Sequence, residues 1–211
     1  MKKKFPNKIP IFPLSGVIYF PKTNLPLNIF EKRYLDLVND TYRKDKLMGM
    51  IQSKKNVKDL YEVGCLGKIS DFVKNKDGRV LINLTGVIRF KIVREVENSK
   101  LYREFEVEYN KFDNDITETE KNLKKSKIEL SSFFEKVKIF FKKNGLILNW
   151  NEFDKLSLEQ QINTLAMISP ISNEEKQKLL ETVGINEIRE TLSKIIEFYI
   201  YNKDPNNMTV Q

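Results

Sequence analysis

The sequence predicts an α+β protein, with a β-rich lobe over about residues 1–115 and an α-helical lobe over about 116–211. Three observations carry that reading. Most prolines and glycines precede residue 115, and there short apolar runs of strand length alternate with turn residues. Beyond it, apolar residues recur at spacings of three and four over long stretches. The charge divides at the same place: residues 1–115 hold 23 Lys+Arg against 15 Asp+Glu and residues 116–211 hold 14 of each, so the net charge of +8 belongs to the front half.

Taken in order, Ile9-Pro10-Ile11-Phe12-Pro13-Leu14 is extended, and its prolines suggest an edge strand or a wrap. Ser15-Gly16 is a turn, Val17-Ile18-Tyr19-Phe20 a short strand stopped by Pro21, and Leu25 to Phe30 a further extended piece. A helix is expected from about Glu31 to Arg43, with Tyr34, Leu37, Val38 and Tyr42 on one face and Glu31 in the first turn. Lys46–Gln52 and Tyr61–Lys74 read as strands, and Asn75-Lys76-Asp77-Gly78 as a hairpin turn. Arg79–Arg94 is a long strand in which Gly86 marks a bulge or a close backbone approach. Its second half alternates, with Ile88, Phe90 and Ile92 inward and Arg89, Lys91 and Val93 outward. Tyr102–Tyr109 alternates too, setting Glu104, Glu106 and Glu108 on one face, beside Arg89 and Lys91 if the two strands pair. Such strands with one inserted helix suggest a small twisted or barrel-like sheet.

The back half reads as four helices in a small bundle. The first, about 118–143, carries the stripe Leu123, Ser126/Lys127, Leu130, Phe133/Phe134, Val137, Phe140/Phe141 and ends at Gly145. Leu146–Trp150 is a short apolar linker. Ser157 with Gln160, and Ser172 with Glu175, form capping boxes for helices of about 158–168 and 173–182, the second closed by Gly184. Asn186 caps the last, about 187–201, which buries Ile188, Leu192, Ile195, Ile196 and Tyr199.

Composition excludes several chemistries. A chain of 211 residues buries roughly 70 % of its unfolded surface and needs no staple to fold. Histidine is absent, which removes Ser-His-Asp and Cys-His catalysis, imidazole acid–base chemistry and His-ligated zinc. The one cysteine, Cys65, precludes an intrachain disulfide or a Cys-rich zinc site and reads as a small core hydrophobe between Val63 and Leu66. No phosphate-binding loop is present: Gly64 and Gly67 lack a following helix. No serine sits in a nucleophile elbow, and Ser157 and Ser172 are explained as caps. Paired acids at Glu104/Glu106/Glu108 and Glu174/Glu175 are accounted for by a strand face and a helix first turn. No catalytic residues, cofactor or metal are therefore expected.

No apolar run approaches the length of a membrane span. Lys2, Lys3 and Lys4 before Ile9–Phe20 imitate a secretion signal, but Pro10 and Pro13 break its helix and the sole alanine is Ala166, so a cytoplasmic location is expected. The basic front half invites an anionic partner such as RNA. Against that, lysine greatly outnumbers arginine, the residue that reads phosphate and base edges bidentately. The cluster Phe12, Tyr19, Phe20, Phe30 and Tyr34 among Pro10, Pro13, Pro21 and Pro26 has two readings: the core of the small barrel, or an apolar groove bordered by Glu31, Lys32 and Arg33.

Ile9 to Pro21 resembles the opening signature of the Lon protease N-terminal, substrate-binding domain. Leu25-Pro26-Leu27-Asn28-Ile29-Phe30-Glu31-Lys32-Arg33-Tyr34 is similar to that family's P-L-x-I-F-E-x-R-Y run. Tyr61 to Ile69 resembles its Y-x-V-G strand, Asp77-Gly78 and Gly86 to Phe90 its D-G hairpin and G-x-x-R-F strand, and Glu175 to Glu181 its E-K-Q-x-L-L-E helix. The resemblance covers about residues 9–200. It implies a PUA-like β-barrel followed by a helical bundle, and a role in recognising unfolded or extended polypeptide, in concert with a protease or chaperone. The ATPase and Ser-Lys peptidase motifs of full-length Lon are not in the chain, so a non-catalytic, stand-alone form is expected. The expected polypeptide-binding residues are Phe20, Pro26, Phe30, Glu31, Arg33 and Tyr34, and an RNA-binding PUA-like protein is the alternative.

Overall fold

The structure, a computed structural model, describes residues 5–54, 59–117 and 127–202. The chain divides into two compact units, Met1–Glu118 and Thr119–Gln211. A mixed sheet in the first and helices in the second make the protein α+β.

The first unit holds six strands: β1 (Lys8–Leu14), β2 (Asn24–Ile29), β3 (Leu47–Gln52), β4 (Val63–Lys74), β5 (Val80–Val96) and β6 (Arg103–Glu108). Their order is β2-β5-β4-β3-β1-β6, and a further pairing of β5 with β6 closes the sheet into a barrel. The length of β5 makes this closure possible. Its first part pairs with β2 from Val80 to Thr85, its last with β6 from Lys91 to Val96, and β4 runs beside it for most of its length. β1 and β3 are parallel and the other pairs antiparallel. Ile9, Ile11, Phe20, Leu66, Leu84 and Phe90 are fully buried in this unit.

Two expectations change here. β1 is not an edge strand, since it lies between β3 and β6. Its prolines are tolerated because each falls where β1 has one neighbour: the β6 register covers Lys8–Ile11, with Pro10, and the β3 register Ile11–Leu14, with Pro13. A missing N–H costs nothing on the side without a partner. Residues 17–20 form no strand; Ile18, Tyr19 and Phe20 are buried and Val17 is exposed. Their end is fixed by a turn in which Lys22 adopts a φ of 60° and the Thr23 hydroxyl donates to the Phe20 carbonyl at 2.7 Å.

Gly86 marks both a bulge and a close approach. The β4–β5 register slips between Leu66/Ile88 and Gly67/Gly86, leaving Val87 as the extra residue. A Cβ on Gly86 would run into the Phe20 carbonyl, while its own N–H and C=O pair with Thr23 and Lys22. This glycine therefore docks the segment leading into β2. The β4–β5 hairpin closes with Asn75 donating its N–H to the Arg79 carbonyl, and only Gly78 of its turn has positive φ, at 87°. That is a three-residue loop ending in a left-handed glycine.

Helix α1 (Lys32–Tyr42) packs on β1 and β3, burying Tyr34, Leu37, Val38 and Thr41. Glu31 is its N-cap residue, not part of the first turn. Tyr42 stacks on Phe72 with ring centroids 4.4 Å apart.

The charged face differs from expectation. Arg89 points inward and is buried against Asp115 of the short helix α2 (Asn114–Thr117). Of the three glutamates of β6, Glu108 has the expected neighbour and the other two take different partners. Glu106 accepts two hydrogen bonds from Arg94, Glu104 pairs with Lys8 and Lys100, and Glu108 lies opposite Lys91. Burial pushes the Glu104 carboxyl up, but hydrogen bonds from Lys100 and Lys8 outweigh it and hold the group below the usual glutamate value of 4.5. The Arg103 hydrogen bonds do the same for Glu95. Carboxyls that lose protons more readily folded than unfolded stabilise the fold fully above the unfolded value, and that stabilisation is lost as pH falls through the lower folded values. Thermal midpoints by circular dichroism should hardly change from pH 7 to about 5.5 and fall below about 4.5. A Glu95→Gln/Glu104→Gln variant should melt lower at pH 7 and show a shallower acid slope. An unchanged slope would assign the acid sensitivity to other carboxyls.

The second unit comprises α3 (Lys127–Lys143), α4 (Trp150–Phe153), α5 (Leu158–Ile168), α6 (Asn173–Glu181) and α7 (Ile185–Asn202). Phe133, Val137, Phe140 and Phe141 of α3 are buried; the expected stripe before residue 127 lies outside the described residues. Gly145 has a φ of 69°, and the Leu146 N–H bonds back to the Phe141 carbonyl, which ends α3 as glycine at that place should. Both capping boxes form, at Ser157/Gln160 and Ser172/Glu175. Asn186 does not cap α7, which begins one residue earlier beside Gly184. Trp150 opens the short helix α4, capped by the Asn149 side chain, where a linker was expected. α7 packs against α3, α5 and α6 and buries Ile188, Leu192 and Ile196.

Candidate functional site at the open edge of the barrel

Among the described strands β2 pairs only with β5, so its other edge is open. Pro26 in its middle has no N–H to offer a new neighbour and interrupts that edge. Along β2 the side chains alternate: Asn24, Pro26 and Asn28 are exposed, Leu25 and Leu27 half-buried, and Ile29 buried. Phe30 follows directly and is 66 % exposed. A phenyl ring that open to water at the end of an edge strand is a ready contact for another chain.

The pairing registers show what lies beside it. Asn28, Leu81 and Val73 form one row across β2, β5 and β4, and Pro26, Asn83 and Asp71 the next. Leu81 and Val73 are both exposed, while Val80, Ile82 and Leu84 between them on β5 point inward. Continuing the β2–β5 register by one residue sets Phe30 opposite Arg79, diagonal to Leu81 and within reach of an aromatic ring. The outer face of this ribbon thus carries Pro26, Phe30, Leu81 and Val73. Sequence reading singled out the first two and missed the others. The hairpin held the signal, since closing it at Asn75 and Arg79 sets Val73 opposite Leu81 and the alternation turns both outward.

The expected site residues separate into two groups. Pro26, Phe30, Glu31 and Arg33 are exposed. The Glu31 carboxylate accepts from Arg33 Nε at 3.0 Å and pairs with Nη2 at 2.8 Å, which is why it gives no side-chain cap to α1. Phe20 and Tyr34 do not belong to the surface. Phe20 is fully buried beneath Gly86, and Tyr34, 7 % exposed, stacks on Phe12 with centroids 4.2 Å apart. Burial raises the Tyr34 hydroxyl above its usual range, and the Arg33 guanidinium lies 4.5 Å over the ring. These two rings belong to the core, so the two readings of this cluster divide it between them.

The reactive groups lie elsewhere. Cys65 is buried, and desolvation pushes its thiol well above the usual range, so the thiolate is suppressed. Among the described residues no three acidic or cysteine side chains come together as a metal site, and no helix is long and apolar enough to cross a membrane.

The family model of the ATP-dependent protease La (LON) substrate-binding domain matches residues 8–198. Lon protease of Syntrophus aciditrophicus is 26 % identical over 205 residues, covering 92 % of this chain and 25 % of its own length. Lon protease of Buchnera aphidicola subsp. Schizaphis graminum is also 26 % identical, over 90 % of this chain and 25 % of that protein. The chain spans about a quarter of the length of these curated relatives. In structure it is similar to a Lon N-terminal domain protein from Xanthomonas campestris (TM-score 0.62, 21 % identity, 90 % of this chain and 98 % of that one). It is similar to the N-terminal domain of Mycobacterium avium complex Lon protease with the same TM-score and coverage, at 16 % identity. Those two likenesses bear on the fold.

Proposed function

We propose that this chain, which belongs to the ATP-dependent protease La (LON) substrate-binding domain family, binds unfolded or extended polypeptide at the open edge of β2, with Phe30 as its main anchor and without chemistry of its own. The observation that carries this reading is the exposed ring of Phe30 at the end of a strand with one open edge. An extended chain docks on such an edge through main-chain hydrogen bonds and uses adjacent apolar contacts for selectivity. Pro26, Leu81 and Val73 supply those contacts, and the Glu31–Arg33 pair borders them with charge. The relatives are proteases, and holding a chain for a protease or chaperone is the matching role for a module that binds without cutting. Affinity is expected to be roughly micromolar, since a small patch must offset the ordering of a flexible ligand.

Fluorescence anisotropy with labelled unfolded casein fragments tests this, comparing wild type with Phe30→Ala and Arg33→Ala, each shown folded by circular dichroism. Phe30→Ala should weaken binding by about tenfold or more, as loss of an aromatic anchor does, and Arg33→Ala by less. An absence of binding by wild type, or equal binding by all three proteins, would overturn the site. Binding to RNA with a steep linear dependence on log salt would instead favour the nucleic-acid alternative. The engagement of Arg94, Arg103, Lys8 and Lys100 with glutamates weakens that alternative.

A further inference from the structure

We infer that the polypeptide accepted at the β2 edge carries acidic residues adjoining its apolar stretch, seated at the Phe30 end of the strand. The inference rests on the reading of that edge as the binding surface. It follows from how charge is arranged around the apolar row. β2 is six residues long, so it presents about 20 Å of edge. At its Phe30 end three lysines gather. Lys32 follows Phe30 by two residues, Lys76 lies in the hairpin turn next to Asp77 and Arg79, and Lys74 ends β4 at the same end, in the row of Val80 and Ile29 and so on the other face of the ribbon. None of these three has an ion-pair partner among the described residues. The acids nearby are already engaged: Glu31 with Arg33 and Asp77 with Arg79.

The middle of the surface has the opposite character. Asp71 shares a row with Asn83 and Pro26, and among the described residues its carboxylate takes only a hydrogen bond from the Ser70 hydroxyl at 3.1 Å. An acid placed mid-segment would meet that charge, whereas one placed past Phe30 would meet lysines. At the far end Lys68 stands in the row of Thr85 and Asn24. The pattern favours a ligand with an apolar centre and an acidic flank, and it gives the bound segment a direction. Because all these charges are exposed, the preference should be strong at low salt and screened at high salt.

Three labelled peptides with one common six-residue apolar centre, flanked by glutamate, glutamine or lysine, test this by anisotropy at low salt and at 1 M salt. The glutamate-flanked peptide should bind about tenfold more tightly than the lysine-flanked one at low salt, with glutamine between, and the three should converge at 1 M. Lys32→Glu/Lys76→Glu, two exposed substitutions checked by circular dichroism, should reverse the order without abolishing binding. Equal affinities at low salt, or an order the double variant leaves unchanged, would overturn the charge preference while leaving the β2 edge as the site. Failure of all three peptides to bind would overturn the site itself, and the preference with it.

Discussion

Replacing Asp115 with alanine is expected to destabilise the β-rich unit by about 3–5 kcal/mol, as removal of one member of a buried ion pair does. The Arg89 and Asp115 side chains are only 4 % and 6 % exposed. Arg89 Nε and Nη2 both donate to the Asp115 carboxylate, at 3.0 and 2.6 Å, and the Arg89 backbone N–H donates to it at 2.9 Å. The guanidinium also lies 4.5 Å over the Phe112 ring. The truncation takes the carboxylate away from a desolvated cation and the side-chain acceptor away from a strand N–H. The cost is that of the broken pair, not the worth of the pair itself. The double variant Arg89→Met/Asp115→Leu should therefore recover much of the loss. Urea unfolding followed by far-ultraviolet circular dichroism compares wild type with the two variants. A loss below about 1 kcal/mol for Asp115→Ala would show that solvent reaches the guanidinium and that the pair is not a latch.

The second large effect separates two phenylalanines ten residues apart. Phe20→Ala should cost about 3–5 kcal/mol, because its ring is fully buried and the site cannot collapse around the cavity. The bend that places it is held by Thr23 and by the packing of Gly86 against the Phe20 carbonyl. Phe30→Ala, by contrast, should leave stability within about 0.5 kcal/mol, since most of its ring already lies in water. Thermal melts give the first comparison and polypeptide binding the second. A destabilised Phe30→Ala protein would mean that this ring packs on its neighbours and is not free to meet a ligand.

Elements whose information is local were legible in the sequence. The two capping boxes depend on a serine and an acceptor three residues on, and α5 begins at Leu158 and α6 at Asn173, as those pairs require. The glycine end of α3, the α1 face of Tyr34, Leu37 and Val38, and the hairpin at Gly78 have the same character, whereas α6 ends at Thr182 in extended conformation and Gly184 opens α7. Gly86 was legible as a special position because a strand interior has no other use for a residue without a side chain. Half of the candidate site was legible as well: Pro26 and Phe30 lie where the β2 run ends and a helix begins.

Tertiary structure decided whatever depends on which strands meet. Alternation placed Arg89 outward, but the bulge at Val87 and the arrival of Asp115 from 26 residues downstream turned it into the interior. A lone strand pattern contains no such partner. The prolines of β1 suggested an edge, yet they mark the two points where neighbours on either side end, a matter of register and not of composition. Phe20 and Phe30 are the same residue type in the same apolar neighbourhood of the sequence. One is covered because Gly86 lets two backbones approach, and the other stays bare because nothing pairs with the far side of β2. Propensity and periodicity act within a few residues and suffice to form the elements. Burial is settled by contacts between elements distant in sequence, and with it which aromatic rings stay free to bind.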